Sequence, residues 1–190
     1  MQGVEKIKEI KQNVDVLTLS ATPIPRTLQM ALTGIRGFSM INTPIENRMP
    51  VQTYVIRREK HAIKEIIERE LARGGQIYYL NNKIERLSTI EHELKKLVKN
   101  AKIGIAHGKL SVDEMEDIMQ RFIANEFNIL LCTTIIENGI DIPNVNTIIV
   151  DNADCFGLSQ LYQIKGRVGR SNRLAYAYLM YAQNKELTDI

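Results

Sequence analysis

The stretch "NILLCTT", residues 128–134, decides the fold class. Four consecutive apolar residues, Ile129 to Cys132, leave no polar face along this segment. A strand with one face in water alternates apolar and polar residues, whereas a strand covered on both faces is apolar throughout. We therefore predict a buried strand in a parallel sheet that carries helices on both of its faces.

Segments on either side of this stretch alternate between strand-like and helix-like patterns. Apolar or alternating runs predict strands at residues 14–20, 51–57, 76–82, 102–108, 145–151 and 175–181. Helical periodicity predicts helices at residues 25–32, 59–75, 84–99, 111–125 and 158–168. Ser111 and Glu114 form a capping-box pattern at the start of one of these helices. Strands and helices in this order close through right-handed crossovers, so we predict an α/β fold with a doubly wound parallel sheet.

The composition is that of an ordinary globular chain. The 190 residues are 44% hydrophobic and 25% charged, with a formal net charge of +3. So small a charge does not by itself identify a nucleic-acid-binding protein. Cys132 and Cys155 stand apart without the ligand spacing of a zinc site, so we expect no metal. Unpaired cysteines are typical of a reducing cytoplasm, and no apolar run approaches the ~18 residues of a membrane helix.

The loop "AHGKLS", residues 106–111, follows a predicted strand and leads into a helix. Ligands of doubly wound sheets bind at the carboxyl ends of the strands. Gly108 permits a sharp turn, and the backbone amides of residues 111–114 are expected to be free to hold a phosphate. The alternative is a tight structural loop in which His107 is hydrogen-bonded, and the sequence leaves both open.

The loop "TTIIENGIDIPN", residues 133–144, also follows a predicted strand. Thr133 and Thr134 supply hydroxyls, which are typical contacts to a nucleic-acid backbone. Gly139 allows close backbone approach and Asp141 supplies a carboxylate. A capped turn before the proline is the structural alternative, but this combination of residues favours a functional site.

The stretch "QLYQIKGRVGRS", residues 160–171, combines two glycines with two arginines. A glycine inside a helix costs about 1 kcal/mol relative to alanine, so we expect the glycines to have a purpose. Arg167 and Arg170 are three residues apart, which predicts that they share one helical face. The bare backbone at Gly166 and Gly169 lets that face approach an anion closely, and we interpret the anion as a nucleotide γ-phosphate.

The chain itself lacks a phosphate cradle. A P-loop requires GxxxxGK[ST], but Gly108 and Lys109 are followed by Leu110. Residues 147–152, "TIIVDN", imitate a magnesium-binding strand end, and without a P-loop we interpret Asp151 as a cap at the end of a strand. The arginines would therefore complete a site whose cradle lies on another lobe, where an arginine finger contributes roughly 10³–10⁵ in rate.

Four stretches together resemble the superfamily 2 helicases. "QIKGRVGR" (163–170) resembles their motif VI and "TTIIENGIDIPN" their motif V. "AHGKLS" is similar to the loop before motif V, and "SATPIPRT" (20–27) to motif III. Within this superfamily, "FGLSQLYQIKGRVGRS" (156–171) is most similar to the bacterial transcription-repair coupling factors, which are double-stranded DNA translocases. The fork-reversing helicase RecG shares several of the same elements.

The resemblance implies a RecA-like fold and a role for each motif. The catalytic residues that it implies at the ATP phosphates are Arg167, Arg170 and Gln163, with one arginine as the finger. The ATP site as a whole would include Gly139, Asp141, Gly166, Arg167 and Arg170. The implied contacts to the DNA backbone are His107, Gly108, Thr133 and Thr134. Ser20 and Thr22 would couple the nucleotide state to the grip on DNA.

The resemblance also divides the chain. Residues 1–45 match the tail of a first RecA-like lobe with its linker, and residues 46–190 match the second lobe. Motifs I and II, the P-loop and the DExx box, are not in this sequence, and we expect them upstream in the first lobe. ATP with Mg²⁺ would then be held mainly there, and these residues alone would neither hydrolyse ATP nor move DNA.

The implied function is ATP-dependent translocation on double-stranded DNA in transcription-coupled repair in the cytoplasm. RNA polymerase and the excision-repair protein UvrA would be partners through other parts of the parent protein. Two alternatives remain open at this point. One is a branch-migrating helicase lobe of the RecG type. The other is a non-catalytic nucleic-acid-binding lobe in which Arg167 and Arg170 contact DNA phosphates, and it predicts salt-dependent DNA binding.

Overall fold

The computed structural model describes residues 39, 50–134, 142–169 and 173–182. Several sequence predictions lie outside these ranges, namely the strand at 14–20, the helix at 25–32 and the domain boundary at residue 45. The same holds for Ser20, Thr22, Gly139, Asp141 and Arg170.

The described chain alternates strands and helices in the predicted order. The strands are β1 (Gln52–Arg57), β2 (Gln76–Leu80), β3 (Ile103–Ala106), β4 (Ile129–Cys132), β5 (Val145–Val150) and β6 (Tyr176–Tyr181). The helices are α1 (Lys60–Ala72), α2 (Ile84–Leu97), α3 (Val112–Ile123) and α4 (Leu158–Lys165). A 3₁₀ turn, Ala153–Cys155, precedes α4.

The strands form one sheet in the order β1-β6-β5-β2-β4-β3, and every described pair of neighbours is parallel. This confirms the predicted doubly wound parallel sheet. Two parallel strands are joined by a connection that returns from the carboxyl end of one to the amino end of the other. We call the two rims of the sheet the carboxyl edge and the amino edge.

Both faces of the sheet are buried, as the apolar run in β4 predicts. Leu130 and Cys132 of β4 pack in one core with Phe122 of α3 and Ile164 of α4. The alternate residues of β4 pack on the other face, in a core with Ile63 of α1 and with α2. Alternate residues of a strand point to opposite faces, so a single apolar run serves two cores.

The strand β1 lies at one end of the sheet and pairs with β6. Its side chains are mostly exposed, including Tyr54 at 45% and Val55 at 59%. At the other end of the sheet lies β3, whose residues are mostly buried. The two outermost strands of the described sheet therefore differ in exposure, since β1 is mostly exposed and β3 is mostly buried.

No helix among the described residues has the length and hydropathy of a membrane span.

The two cysteines are expected to differ sharply in reactivity. Cys132 has no exposed surface in β4, and burial raises the pKa of its thiol, whereas Cys155 is exposed. The thiolate is the reactive form, so one thiol should react rapidly with Ellman's reagent at pH 8 and the other only after unfolding in guanidinium. A Cys155→Ser variant should lose the rapid phase, and rapid reaction of Cys132 in that variant would contradict the buried position of β4.

Candidate functional site

Three adjacent strands place polar residues side by side at the carboxyl edge. The N–H of Thr133 donates to the carbonyl of Ala106 at 3.3 Å, and the N–H of Asn81 donates to the carbonyl of Cys132 at 3.0 Å. His107, Thr133 and Asn81 therefore follow β3, β4 and β2 in a row, about one strand spacing apart (~4.8 Å). The structure brings His107 and Thr133 together at the edge where the sequence placed them, with Gly108 and Thr134 directly after them.

His107 is half-buried at the start of a tight turn. The N–H of Leu110 donates to its carbonyl at 3.1 Å, and Gly108 is exposed within the turn. The ring atom Nδ1 is buried and has no hydrogen-bond partner among the described residues. The structural alternative of a hydrogen-bonded His107 therefore finds no support at Nδ1 in the described part of the chain.

The start of α3 differs from one expectation. The predicted capping box is present, since the Glu114 N–H donates to Ser111 Oγ at 3.3 Å and the Ser111 N–H donates to the Glu114 carboxylate at 2.8 Å. Side-chain and backbone hydrogen bonds from Ser111 lower the pKa of Glu114, so this carboxylate is charged. The prediction that the amides of residues 111–114 are free for a phosphate is thus wrong for the first and the last of them.

A buried ion pair lies beside this row of strand ends. Arg58, just after β1, donates from Nε to Asp151 Oδ1 at 3.0 Å and from Nη2 to Glu93 Oε2 at 2.8 Å. Asp151 has no exposed surface, and its second oxygen accepts from Asn81 Nδ2 at 3.1 Å. The interpretation of Asp151 as a simple strand-end cap is therefore wrong, because a fully buried carboxylate requires a charged partner and hydrogen bonds.

The network shifts the pKa values of Arg58 and Tyr79. Burial on its own would lower the pKa of Arg58, but the hydrogen bond to Glu93 and the nearby negative charges raise it above the usual value. Burial, and then the charge of Asp151, raise the pKa of Tyr79. The Tyr79 hydroxyl has no hydrogen-bond partner among the described residues. Arg58 is thus permanently charged, while Tyr79 stays neutral.

The network also fixes the loop that follows β2. The Asn81 side chain donates to Asp151 and accepts from the N–H of Lys83 at 2.9 Å. Sequence reasoning missed Arg58, Asn81 and Glu93, since they are 35 to 93 residues from their partners along the chain. The available signal was Asp151 itself. It directly follows the apolar run Ile148 to Val150, and a carboxylate at the end of a buried strand requires a partner.

The helix α4 ends earlier than the sequence predicts. It stops at Lys165, and the N–H of Arg167 donates to the carbonyl of Ile164 at 3.0 Å in a tight turn. Gly169 follows with φ of 77°, a backbone conformation that favours glycine. The helix at 158–168 is thus wrong in its last turn, and Arg167 lies beyond the helix rather than on a helical face shared with Arg170.

The apolar residues of this segment pack against the sheet. Ile164 and Val168 have no exposed surface, and Leu161 packs against the same core. Gln163 and Arg167 are both half-buried. The hydrophobic anchors therefore hold the glycine-containing turn against the sheet.

Arg167 belongs to a different connection from His107 and Thr133. The connection through α4 leaves β5 at the carboxyl edge and must reach the amino end of β6, because these strands are parallel. Arg167 lies in this connection, between the end of α4 and the start of β6. His107 and Thr133 directly follow their strands at the carboxyl edge, where the sequence-based rule expects ligand residues.

Within the described ranges, no group of three or more His, Cys, Asp or Glu residues could hold a metal ion.

Comparison with known protein families identifies the family of this chain. Residues 58–172 match the family model of the helicase conserved C-terminal domain, and this range is more than half of the chain of 190 residues. The chain belongs to this family. The matched range begins at Arg58 of the ion pair and extends past the turn that contains Gly166 and Gly169. It therefore includes both the ion-pair network and this turn.

The helicase domain and its flanks are similar to curated bacterial proteins. The transcription-repair-coupling factor of Bacillus subtilis (strain 168) is 58% identical over 186 residues, which cover 98% of this chain and 16% of that protein. The transcription-repair-coupling factor of Staphylococcus aureus (strain USA300) is 54% identical over 185 residues, which cover 97% of this chain and 16% of that protein. The chain thus spans about a sixth of these relatives, and the predicted resemblance to them is confirmed.

Solved structures give the same family. RecG bound to a three-way DNA junction is 35% identical, with a TM-score of 0.75, over 91% of this chain and 24% of that one. Dbp5 of S. cerevisiae, bound to RNA and ADP BeF3, is 18% identical with a TM-score of 0.70 and shows the fold alone. The predicted RecA-like helicase fold is confirmed.

We expect the helicase domain to lose about 3 kcal/mol of unfolding free energy in an Asp151→Ala variant, because Arg58 Nε and Asn81 Nδ2 would both lose their acceptor and Arg58 would keep only Glu93. Urea unfolding followed by circular dichroism measures this. The matched control is Glu91→Ala, which breaks the exposed pair with Lys95 and should cost about 0.5 kcal/mol. A double variant, Asp151→Ala with Arg58→Met, should recover part of the loss, and an equal loss in Asp151→Ala and the control would contradict the network.

Proposed function

We propose that this chain is the second RecA-like lobe, with the tail of a first lobe, of an ATP-dependent double-stranded DNA translocase that acts in transcription-coupled repair. The observation that carries the proposal is the 58% identity to a coupling factor along 98% of the chain. The aligned length takes in motifs V and VI together, so the similarity is not confined to one loop.

The carboxyl edge supports a role in holding DNA. Thr134 is half-buried and Gly108 is exposed in the turn after His107, whereas Thr133 is only 8% exposed and would reach DNA at the surface of the edge alone. Hydroxyl and backbone N–H groups position a protein on phosphate oxygens without reading the base sequence. A translocase must move over any sequence, so contacts of this kind suit its task.

The turn after α4 supports a role at the nucleotide. Arg167 is half-buried and lies beyond the helix, between Gly166 and the buried Gly169. We assign Arg167 and Arg170 to the ATP phosphates, with one of them as the finger and Gln163 in support, and we include Gly139 and Asp141 in the same site. The last two and Arg170 lie outside the described residues.

The described residues of the lobe provide no carboxylate cluster for a metal, and the sequence has no P-loop. ATP with Mg²⁺ would therefore be held mainly by the first lobe, and the nucleotide supplies the phosphoryl group whose transfer drives movement. This chain contributes a cation to the transferring phosphate. Ser20 and Thr22 would relay closure of the lobes to DNA, and RNA polymerase and UvrA would bind other parts of the complete protein.

The test places this chain in the Bacillus subtilis coupling factor in exchange for the matched 186 residues. Arg167→Ala in this chimera should lower the rate of ATP hydrolysis by about 10³ or more, because a finger acts on the transition state. The control is Arg121→Ala, which removes an exposed arginine paired with Asp117 and Glu126 and should change the rate less than twofold.

The circular dichroism spectrum and the urea midpoint should be the same for both variants. Hydrolysis by the Arg167→Ala chimera at the rate of the control would remove the finger assignment. We expect no turnover from the 190 residues alone, since the sequence lacks the P-loop.

A branch-migrating helicase of the RecG type is the second candidate, and the 35% identical RecG structure favours it. Exchange of this chain into both hosts separates the two. Full polymerase release by the coupling-factor chimera together with loss of junction remodelling by the RecG chimera supports the coupling function, and the reverse result supports the RecG-type function.

A further inference from the structure

We propose that a groove between α1 and α2 binds the phosphate backbone of duplex DNA at a second point, some distance from the row that contains His107 and Thr133. We call it the basic groove, and its lining includes Arg58, Lys60, Ser88, Thr89, His92 and Lys96. The inference rests on the proposed function, because the basic groove would be a second contact surface for the DNA that the carboxyl edge is proposed to bind.

The basic groove is an open depression of about 730 Å³. Glu93 and Leu97 complete its lining. An open groove accommodates an extended chain of phosphates, whereas a small ligand is usually enclosed on most of its surface.

The positive charge in the basic groove comes from particular lysines. Arg58 is committed to Glu93 and Asp151. No carboxylate among the described residues lies within 4.0 Å of the side-chain nitrogens of Lys60 or Lys96, so their charge is available.

Other lysines of the same helices are paired instead. Lys64 of α1 contacts Glu68 at 3.8 Å, and Lys95 of α2 contacts Glu91 at 2.7 Å. On both helices, the lysine that lines the groove has no carboxylate partner among the described residues, whereas the other lysine is paired. The side of each helix that faces the groove therefore attracts anions.

The groove also contains hydroxyl groups on the same face of α2 as Lys96. Ser88, His92 and Lys96 follow one another at intervals of four residues along α2, and Thr89 is adjacent. Residues four apart lie on one face of a helix. Lysine and hydroxyl side chains are typical contacts to phosphate and carry no sequence information, which suits a DNA translocase.

The position of the basic groove favours DNA over an acidic peptide. Arg58 and Lys60 directly follow β1, at the same carboxyl edge as His107, which follows β3. β1 and β3 are the two ends of the sheet, so five strand spacings of ~4.8 Å put these points about 24 Å apart. At 3.4 Å per base pair this is about seven base pairs, so one duplex along the edge reaches both.

The test compares two double variants of this chain with the same change in charge. Lys60→Gln with Lys96→Gln removes the available lysines, and Lys64→Gln with Lys95→Gln removes paired lysines of the same helices. Binding to a hairpin duplex of about 16 base pairs is measured by fluorescence anisotropy between about 50 and 200 mM salt. The groove variant should lose roughly tenfold in affinity at 200 mM salt and its salt slope should fall by about two, while the control keeps both.

A hairpin of about six base pairs, roughly 20 Å long, is too short to join the two points, so the groove variant should lose less affinity for it than for the long hairpin. The urea midpoint verifies that both variants fold. If the groove variant binds the long hairpin like the control, the groove proposal is overturned while the proposed function stands. If the unchanged chain fails to bind either hairpin at low salt, the DNA contacts of the proposed function fail with it.

Binding of polyglutamate in place of DNA, lost in the groove variant, would identify an acidic protein as the partner and overturn the assignment to DNA.

Discussion

The parallel direction of all described strand pairs is the constraint on which the rest of the structure depends. Every connection between two such strands must carry the chain from the carboxyl edge back to the amino edge. The connection from Thr133 to Asn144 makes this passage, and so does the one that contains α4. A chain built in this way has polar loops on two rims, so one lobe can face two different ligands without either site crowding the other.

The buried ion pair gives the carboxyl edge its rigidity. Asp151, Asn81 and Arg58 follow β5, β2 and β1, so three strand ends that are distant in sequence are fastened to one carboxylate. Such a pair adds little net stability over a well-packed apolar group, but it is costly to break on one side. Its effect is geometric, because the loop after β2 is held in one position by the Asn81 side chain. The same arginine reaches Glu93 on α2, and this contact joins the sheet edge to the wall of the basic groove.

Local patterns in the sequence predicted most of the fold. The apolar run of β4 predicted burial on both faces of the sheet, and the pair Ser111 and Glu114 predicted the start of α3. Both predictions succeeded because each pattern lies within a few residues of the chain. The end of α4 was missed because the apolar positions Ile164 and Val168 continue the helical period past the point where Gly166 and Gly169 turn the backbone. The partners of Asp151 were missed because contacts across 70 or 93 residues leave no periodic trace.

The outermost strand has a consequence for the behaviour of this chain in solution. Between Gln52 and Ile56, β1 has no charged side chain, no proline and no bulge in its pairing with β6, and Tyr54 and Val55 are open to solvent. Among the described residues, no further strand pairs with the outer side of β1. Unpaired main-chain amides and carbonyls of an outermost strand are a template on which another strand can pair. Within this strand, the charge of Arg57 at its end is the one feature that opposes such pairing.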